Sequence, residues 1–135
     1  MKLEQQVVNL ELAQKLKELG VEQESLFYYV RLDLKHWEIE QGVEEYSLDY
    51  IPNKTNKITD ISAFTVAELG EMLPNKIIVS VGCEYDLFIG ILGLCWQIMY
   101  SRHDGTYYET TDKNEANARA EMLIYLLENK LITLT

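Results

Sequence analysis

The sequence predicts an α+β fold with an antiparallel sheet of about four to six strands. Two main helices, towards the N- and C-terminal ends, and one short helix are expected to pack on one face of this sheet. Two patterns predict this class. Apolar residues recur at helical spacing near both ends of the chain and alternate with polar residues in between. Residues 76–110 contain no helical period that could supply the crossovers of a parallel sheet, so we expect antiparallel pairing.

The N-terminal part of the chain predicts one helix followed by two or three strands. An apolar stripe over residues 9–19 is typical of an amphipathic helix, and Gly20 follows as a residue that accepts the left-handed conformation of a helix end. Residues 26–33 alternate between apolar and polar side chains, and the alternation resumes in the opposite phase over residues 37–41. This indicates two strands separated by a turn, and residues 43–51 extend or follow the second strand.

The central region predicts a short helix and then a strand. Thr65 and Glu68 have the spacing of a capping box, which starts a helix that ends before Pro74. The β-branched run Ile77-Ile78-Val79 predicts a buried strand over residues 76–81.

A long apolar segment at residues 86–100 is divided by Gly90 and Gly93 into two predicted strands. Its most apolar stretch, residues 87–96, is much shorter than the about 20 residues that a membrane-spanning helix requires. We therefore interpret this stretch as a buried strand.

The C-terminal part predicts a hairpin and a long helix. Asp104-Gly105 has the composition of a tight turn that leads into a strand over residues 107–110. Thr111 or Asp112 is the expected helix cap, and Asn129 is the expected left-handed residue at the helix end. The apolar stripe of this helix consists of Ala116, Ala120, Leu123, Ile124, Leu127 and Leu131.

Length and charge limit the class of protein. The 135 residues fit a single domain spanning 1–135, and 22 acidic against 12 basic residues give a formal charge of −10. This charge repels phosphate backbones and anionic membranes, so we expect no direct nucleic-acid binding and no membrane association.

Residues 1–6 lack the pattern of a signal peptide, which predicts a cytoplasmic protein. Cys83 and Cys95 match no metal or redox motif and are predicted to be reduced, buried thiols.

Three blocks of sequence resemble small uncharacterised proteins of phages, prophages and bacterial mobile elements. The blocks are residues 11–28, 64–74 and 114–132, which cover somewhat under half of the chain. The resemblance implies a phage or mobile-element origin and a bacterial cytoplasm. Since the proteins that it resembles have no established activity, it implies no catalytic or binding residues.

Five polar or aromatic side chains of the first sheet region form a candidate surface. They are His36, Glu38, Glu40, Tyr29 and Tyr46. In a regular strand His36, Glu38 and Glu40 share one face, and an imidazole with two carboxylates is a donor set that can bind a divalent metal. A solvated strand face, with Trp37 and Ile39 directed inward, produces the same pattern without any ligand, and we favour that interpretation. No metal site and no cofactor is therefore predicted.

Two further residues have a possible chemical role. His103 precedes Asp104, which could orient the ring for acid–base chemistry, but a hairpin tip lacks a concave wall that excludes water. Cys83 precedes Glu84, whose negative charge disfavours a reactive thiolate. Turn formation and a structural thiol are the favoured interpretations.

The leading functional hypothesis is a small accessory protein that acts through contacts with an unknown protein partner, with a homodimer as a secondary possibility. One alternative is an acidic mimic of DNA that inhibits a host nucleic-acid-binding protein. Another is a small ligand- or metal-binding protein or an enzyme whose site includes His36, Glu38 and nearby tyrosines. The sequence contains no phosphate-loop, nucleophile-elbow or zinc-protease motif that would favour the enzyme.

Overall fold

The computed structural model describes residues 2–31, 37–41 and 60–134, and it confirms the α+β class. The described strands are antiparallel and divide between two sheets, one of three strands and one of four. Predicted features at residues 32–36 and 42–59, which include the turn after the first strand and the possible strand at 43–51, lie outside the described residues.

The chain begins with a short 3-10 helix, Leu3–Gln5, and the first α-helix, α1, spans Leu10–Glu18. Asn9 caps α1, because its side-chain oxygen accepts a hydrogen bond of 2.9 Å from the backbone N–H of Leu12. Gly20 has a φ of 90°, which confirms the predicted left-handed residue after this helix.

The small sheet has the strand order β2-β1-β3, where β1 is Phe27–Arg31, β2 is Trp37–Gln41 and β3 is Ile61–Ser62. The predicted strand at residues 37–41 is thereby confirmed. Tyr29 pairs with Ile39 on one side and with Ile61 on the other, so these three side chains share the face that packs on the core.

The short helix α2, Val66–Met72, begins at the predicted capping box. Thr65 Oγ1 accepts the Glu68 backbone N–H at 3.2 Å, and Glu68 Oε1 accepts the Thr65 backbone N–H at 3.0 Å. The other carboxylate oxygen of Glu68 accepts the N–H of Leu26 at 3.1 Å, which ties the start of α2 to the segment before β1.

The large sheet has the order β4-β5-β6-β7, with β4 at Lys76–Ser80, β5 at Cys83–Leu92, β6 at Cys95–Ser101 and β7 at Tyr107–Asp112. Its strands follow one another as hairpins. Gly93 is in the turn between β5 and β6 and has a φ of 64°. The predicted Asp104-Gly105 turn joins β6 to β7 and is closed by a 2.9 Å hydrogen bond from the Arg102 N–H to the Thr106 carbonyl.

One face of the large sheet, the inner face, packs on the last helix, α3, which spans Glu115–Glu128. The inner-face side chains are Ile77, Tyr85, Leu87, Ile89, Ile91, Trp96, Ile98, Tyr100, Tyr108, Thr110 and Asp112. Helix α3 also contacts α1 and α2, so it lies between the sheet and these two helices.

Buried small residues allow α3 to take this central position. Ala116, Ala118 and Ala120 are fully buried, and the closest approach to the sheet is marked by a 2.8 Å hydrogen bond from Thr110 Oγ1 to the Ala118 carbonyl. Asn117 is also buried, and its side-chain oxygen accepts the N–H of Asn9 at 2.8 Å. The start of α1 is thereby fixed to α3.

Helix α3 ends at Asn129 as predicted, but its predicted N-cap and the predicted left-handed conformation of Asn129 are wrong. Asn114, and neither Thr111 nor Asp112, caps the helix, because its side chain accepts the N–H of Asn117. The side chain of Asp112 instead accepts the N–H of Asn114 at 2.8 Å. At the other end Asn129 has a φ of −92°, and the positive φ of 56° belongs to Lys130.

No helix within the described ranges is long and apolar enough to cross a membrane. The apolar stretch at residues 87–96 forms the end of β5, a two-residue turn and the start of β6.

Tyr100 provides a test of the packing between the large sheet and the end of α2. Its ring is fully buried, and its hydroxyl donates a 2.6 Å hydrogen bond to the Pro74 carbonyl. We expect Tyr100→Phe to lower the free energy of unfolding by about 1 kcal/mol, because the carbonyl loses its donor. Chemical denaturation measures this change. Tyr107→Phe, on an exposed ring of the same sheet, is the control, and an equal loss in both variants would contradict the assignment.

Candidate interaction surface

The side of the large sheet that faces away from α3 is not covered by any described element. We call it the outer face. Strand register assigns to it Lys76, Ile78, Glu84, Asp86, Phe88, Gly90, Leu92, Cys95, Gln97, Met99, Ser101, Tyr107, Glu109 and Thr111.

Large apolar side chains are exposed on the outer face of every strand except β6. Ile78 is 63% exposed, Leu92 is 58% exposed and Tyr107 is 57% exposed, and Phe88 is about half exposed. Ile98 and Tyr100, on the inner face of β6, have no exposed surface. An apolar area of this kind on a soluble protein is typical of a surface that binds another molecule.

The position of the Phe88 ring depends on Gly90. A Cβ atom added to Gly90 would lie 2.9 Å from two ring carbons of Phe88, which is closer than such atoms approach in real proteins. The ring therefore lies over Gly90, on the same face of the strand. A side chain at position 90 would displace this ring, because it would occupy the same space.

Acidic groups border the apolar centre. Lys76 Nζ lies 3.4 Å from an oxygen of Asp86 and 4.0 Å from one of Glu84, so the one lysine of this face is shared by two carboxylates. Across the sheet, Glu109 accepts a 2.9 Å hydrogen bond from the Gln97 side chain. The border is negative, as is the chain as a whole.

Further apolar side chains are exposed at the tip of the β5–β6 hairpin, one of them, Ile91, on the inner face. Ile91 is 66% exposed and Leu94, in the turn, is 87% exposed. Residues 87–96 and the strand at residues 76–81 were both predicted to be buried, and the structure corrects this: Ile78, Val79, Phe88, Ile91, Leu92 and Leu94 are exposed. A helix layer covers only one face of a sheet. Because consecutive residues of a strand point to opposite faces, a run of apolar residues also places apolar side chains on the face that the helix does not cover.

The structure separates the members of the candidate surface that was predicted from the sequence. His36 and Tyr46 lie outside the described residues. Glu38 and Glu40 pair with Val30 and Tyr28 respectively, which places both carboxylates on one face of the small sheet. Tyr29 belongs to the opposite face.

Tyr29 is a core residue and is not part of that surface. It is 9% exposed, and its hydroxyl donates a 2.7 Å hydrogen bond to the Val8 carbonyl. Burial, with a smaller contribution from the charge of Glu4, raises the pKa of Tyr29 to about 12. The alternating pattern predicted the two faces of β1, but it did not show which face the core covers.

Asp104 and the two cysteines were also considered for a chemical role. Asp104 accepts hydrogen bonds from the Thr106 hydroxyl at 2.7 Å and the Thr106 N–H at 3.0 Å, and these bonds lower the pKa of its carboxyl group. Cys83 and Cys95 are free thiols, as predicted, but each is only partly buried. Among the described residues no group of three or more His, Cys, Asp and Glu side chains is close enough to bind a metal ion.

Sequence reasoning missed a pair of carboxyl groups, Glu121 on α3 and Asp112 at the end of β7. Burial raises the pKa of Glu121 to about 7, and the negative charge of Asp112 and a hydrogen bond to it act in the same direction. No spacing rule could have identified the pair, because it forms only when α3 packs on β7.

The Glu121–Asp112 pair predicts a pH dependence of stability. Since the pKa of Glu121 in the folded chain lies above its ordinary value of 4.5, the folded state binds more protons than the unfolded state between pH 4.5 and about 7. The free energy of unfolding should therefore fall as the pH rises through this range and then stay at the lower level. We expect Glu121→Gln to be more stable than the wild type at pH 8 by about 1 kcal/mol, less than the full pKa shift would give because solvent screens the partly exposed pair.

Thermal unfolding from pH 4.5 to pH 8 checks this expectation, and the advantage of the variant should disappear towards pH 4.5. Glu18→Gln, on the exposed side of α1, makes the same change in net charge without removing the pair. Parallel curves for the wild type and Glu121→Gln at all pH values would show that the pair does not titrate in this way.

Comparison of the chain with protein-family models, with curated protein sequences and with solved structures finds no match.

Proposed function

We propose that this chain is a small accessory protein of a phage or mobile element, and that it acts in the bacterial cytoplasm by binding another protein through the outer face of its large sheet. The observation that supports this function is the set of exposed apolar side chains on that face, chiefly Ile78, Phe88 and Tyr107. The proposed origin and location rest on the three sequence blocks that resemble phage and mobile-element proteins.

Charge identifies the chemistry of the partner. The outer face has an apolar centre and a border in which Glu84, Asp86 and Glu109 outnumber Lys76. The complementary surface is an apolar patch flanked by lysine or arginine side chains, because opposite potentials steer the encounter and exclude partners with acidic borders. Apolar contact provides most of the affinity of such an interface, and the charges provide selectivity.

Within residues 2–31, 37–41 and 60–134, the positions of the acidic side chains do not favour the alternative of a DNA mimic. Glu11, Glu18 and Glu71 are exposed on α1 and α2, whereas Glu84 and Asp86 are exposed on the outer face. Helix α3 separates these two groups. A mimic of a phosphate backbone needs its carboxylates along one surface.

The proposed function is tested by crosslinking in cells. A photoreactive benzophenone amino acid in place of Ile78 or Tyr107 should crosslink to one common protein, and the same group in place of Glu11 on α1 should not. The common protein, once purified, should bind the wild type at least about tenfold more tightly than Ile78→Lys, because the lysine introduces a charge into the apolar contact. Titration calorimetry measures the two affinities.

Leu26→Lys is the matched control, because Leu26 is also an exposed apolar residue but lies before β1, away from the outer face. It should bind like the wild type. Equal labelling from all three crosslinker positions, or equal weakening by the two lysine variants, would overturn the proposal. A product that contains only a second copy of this chain would also overturn it.

A further inference from the structure

Next to the end of β4, the edge of β5 has a segment that no described strand pairs with, which we call the unpaired segment. Strand β4 pairs with β5 only as far as Lys76 opposite Asp86, and the N–H of Leu87 then donates a 2.9 Å hydrogen bond to the Asn75 carbonyl. From Phe88 to Leu92 the described strands pair with β5 on one side only, the side of β6.

The backbone groups on this edge are those of Ile89 and Ile91. The N–H and C=O groups of consecutive residues of a strand point to opposite edges, so those of residues i and i+2 share an edge, and the N–H of Leu87 points towards β4. Ile89 and Ile91 therefore direct their N–H and C=O groups to the same edge as Leu87. No backbone hydrogen bond of the described chain reaches either residue from that side.

The unpaired segment has none of the features that normally prevent strands from associating. Residues 88–92 read Phe-Ile-Gly-Ile-Leu, without a charged residue or a proline. Soluble proteins usually block such an edge with lysine, proline or a bulge, or cover it with another element. This edge is a site for the addition of a strand.

We infer that a second copy of this chain occupies the edge, with the two β5 strands antiparallel about a two-fold axis at Gly90. The unpaired segment, residues 88–92, has Gly90 at its centre. With Gly90 opposite Gly90 of the second copy, Ile89 lies opposite Ile91 of that copy and exchanges two hydrogen bonds with it. The two-fold axis repeats this pair, so four backbone hydrogen bonds form.

Side chains and charges agree with this register. Phe88 lies opposite Leu92 of the second copy on the outer face, so two apolar side chains that are exposed in one copy contact each other. The glycines at the axis bring no side chains together there, and each Phe88 ring lies over its own Gly90.

Each copy has a formal charge of −10, but the carboxylates of β5 do not face each other in this register. Glu84 and Asp86 lie outside the segment that pairs with the second copy, where β4 of the same copy occupies the edge. The resulting sheet continues through both copies, with the two outer faces side by side. This pairing uses the edge of β5 and does not require that the outer face binds a different protein.

Sedimentation equilibrium of the purified chain tests the inference. The wild type should sediment as a dimer, at twice the 15.7 kDa of one chain. Ile91→Pro removes an N–H donor from the free edge and leaves the pairing with β6 intact, because that N–H points away from β6. It should weaken the dimer at least about tenfold.

Thr111→Pro is the matched control, because Thr111 also directs its N–H to a free edge, that of β7 on the other side of the sheet. It should remain a dimer. If circular dichroism shows that Ile91→Pro is unfolded, Ile91→Lys takes its place, since Ile91 is exposed and a lysine there faces Ile89 of the second copy.

The register is tested separately in a Cys83→Ser, Cys95→Ser background that also carries Phe88→Cys and Leu92→Cys. Oxidation should join two chains, because positions 88 and 92 face each other across the seam and are too far apart within one strand. Phe88→Cys with Ile91→Cys, which places the thiols on opposite faces, should not crosslink efficiently. A monomer at concentrations up to about 100 µM, or a dimer unaffected by Ile91→Pro and Ile91→Lys, would overturn the inference.

Discussion

The packing of α3 against three partners is the contact on which the rest of the fold depends. The helix has buried residues around most of its circumference, with Ala116, Ala120 and Leu123 on one side and Ala118, Met122 and Leu126 on the other. A helix of this kind is stable only when every side is covered, because its exposed form would place apolar surface in water. The large sheet covers one side, and α1 and α2 cover another.

This arrangement covers the inner face of the large sheet, and no described element covers the outer face. All three α-helices are used on the same side of the sheet, so the described chain has no further helix to place over Phe88 and Ile78. Both the proposed partner surface and the proposed pairing of β5 follow from this asymmetry. The partner surface uses side chains that project from the sheet, whereas the pairing of β5 uses backbone groups at the edge of the sheet. The β5–β6 hairpin can therefore take part in both contacts.

Much of the fold could be predicted from local sequence because the signals were local. The capping box at Thr65, the glycine turn at residue 105 and the helical stripe after residue 115 each depend on neighbours within a few positions. The exposed face could not be predicted, because Ile77 and Ile78 are chemically alike and only the position of α3 makes one buried and the other exposed. The cap of α3 shows the same limit: Thr111, Asp112 and Asn114 can all cap a helix, and the end of β7 selects Asn114.

The hydrogen bond between Asn9 and Asn117 joins residues that are 108 positions apart in the chain. The hairpins of the large sheet connect neighbouring segments, and closing such short loops takes little time. Docking of α1 onto α3 closes a far longer loop, which has a larger entropic cost, and we therefore expect it to come late in folding. A contact formed after the transition state controls mainly how fast the native state opens. We therefore expect the hydrogen bond between Asn9 and Asn117 to control the rate of unfolding more than the rate of folding.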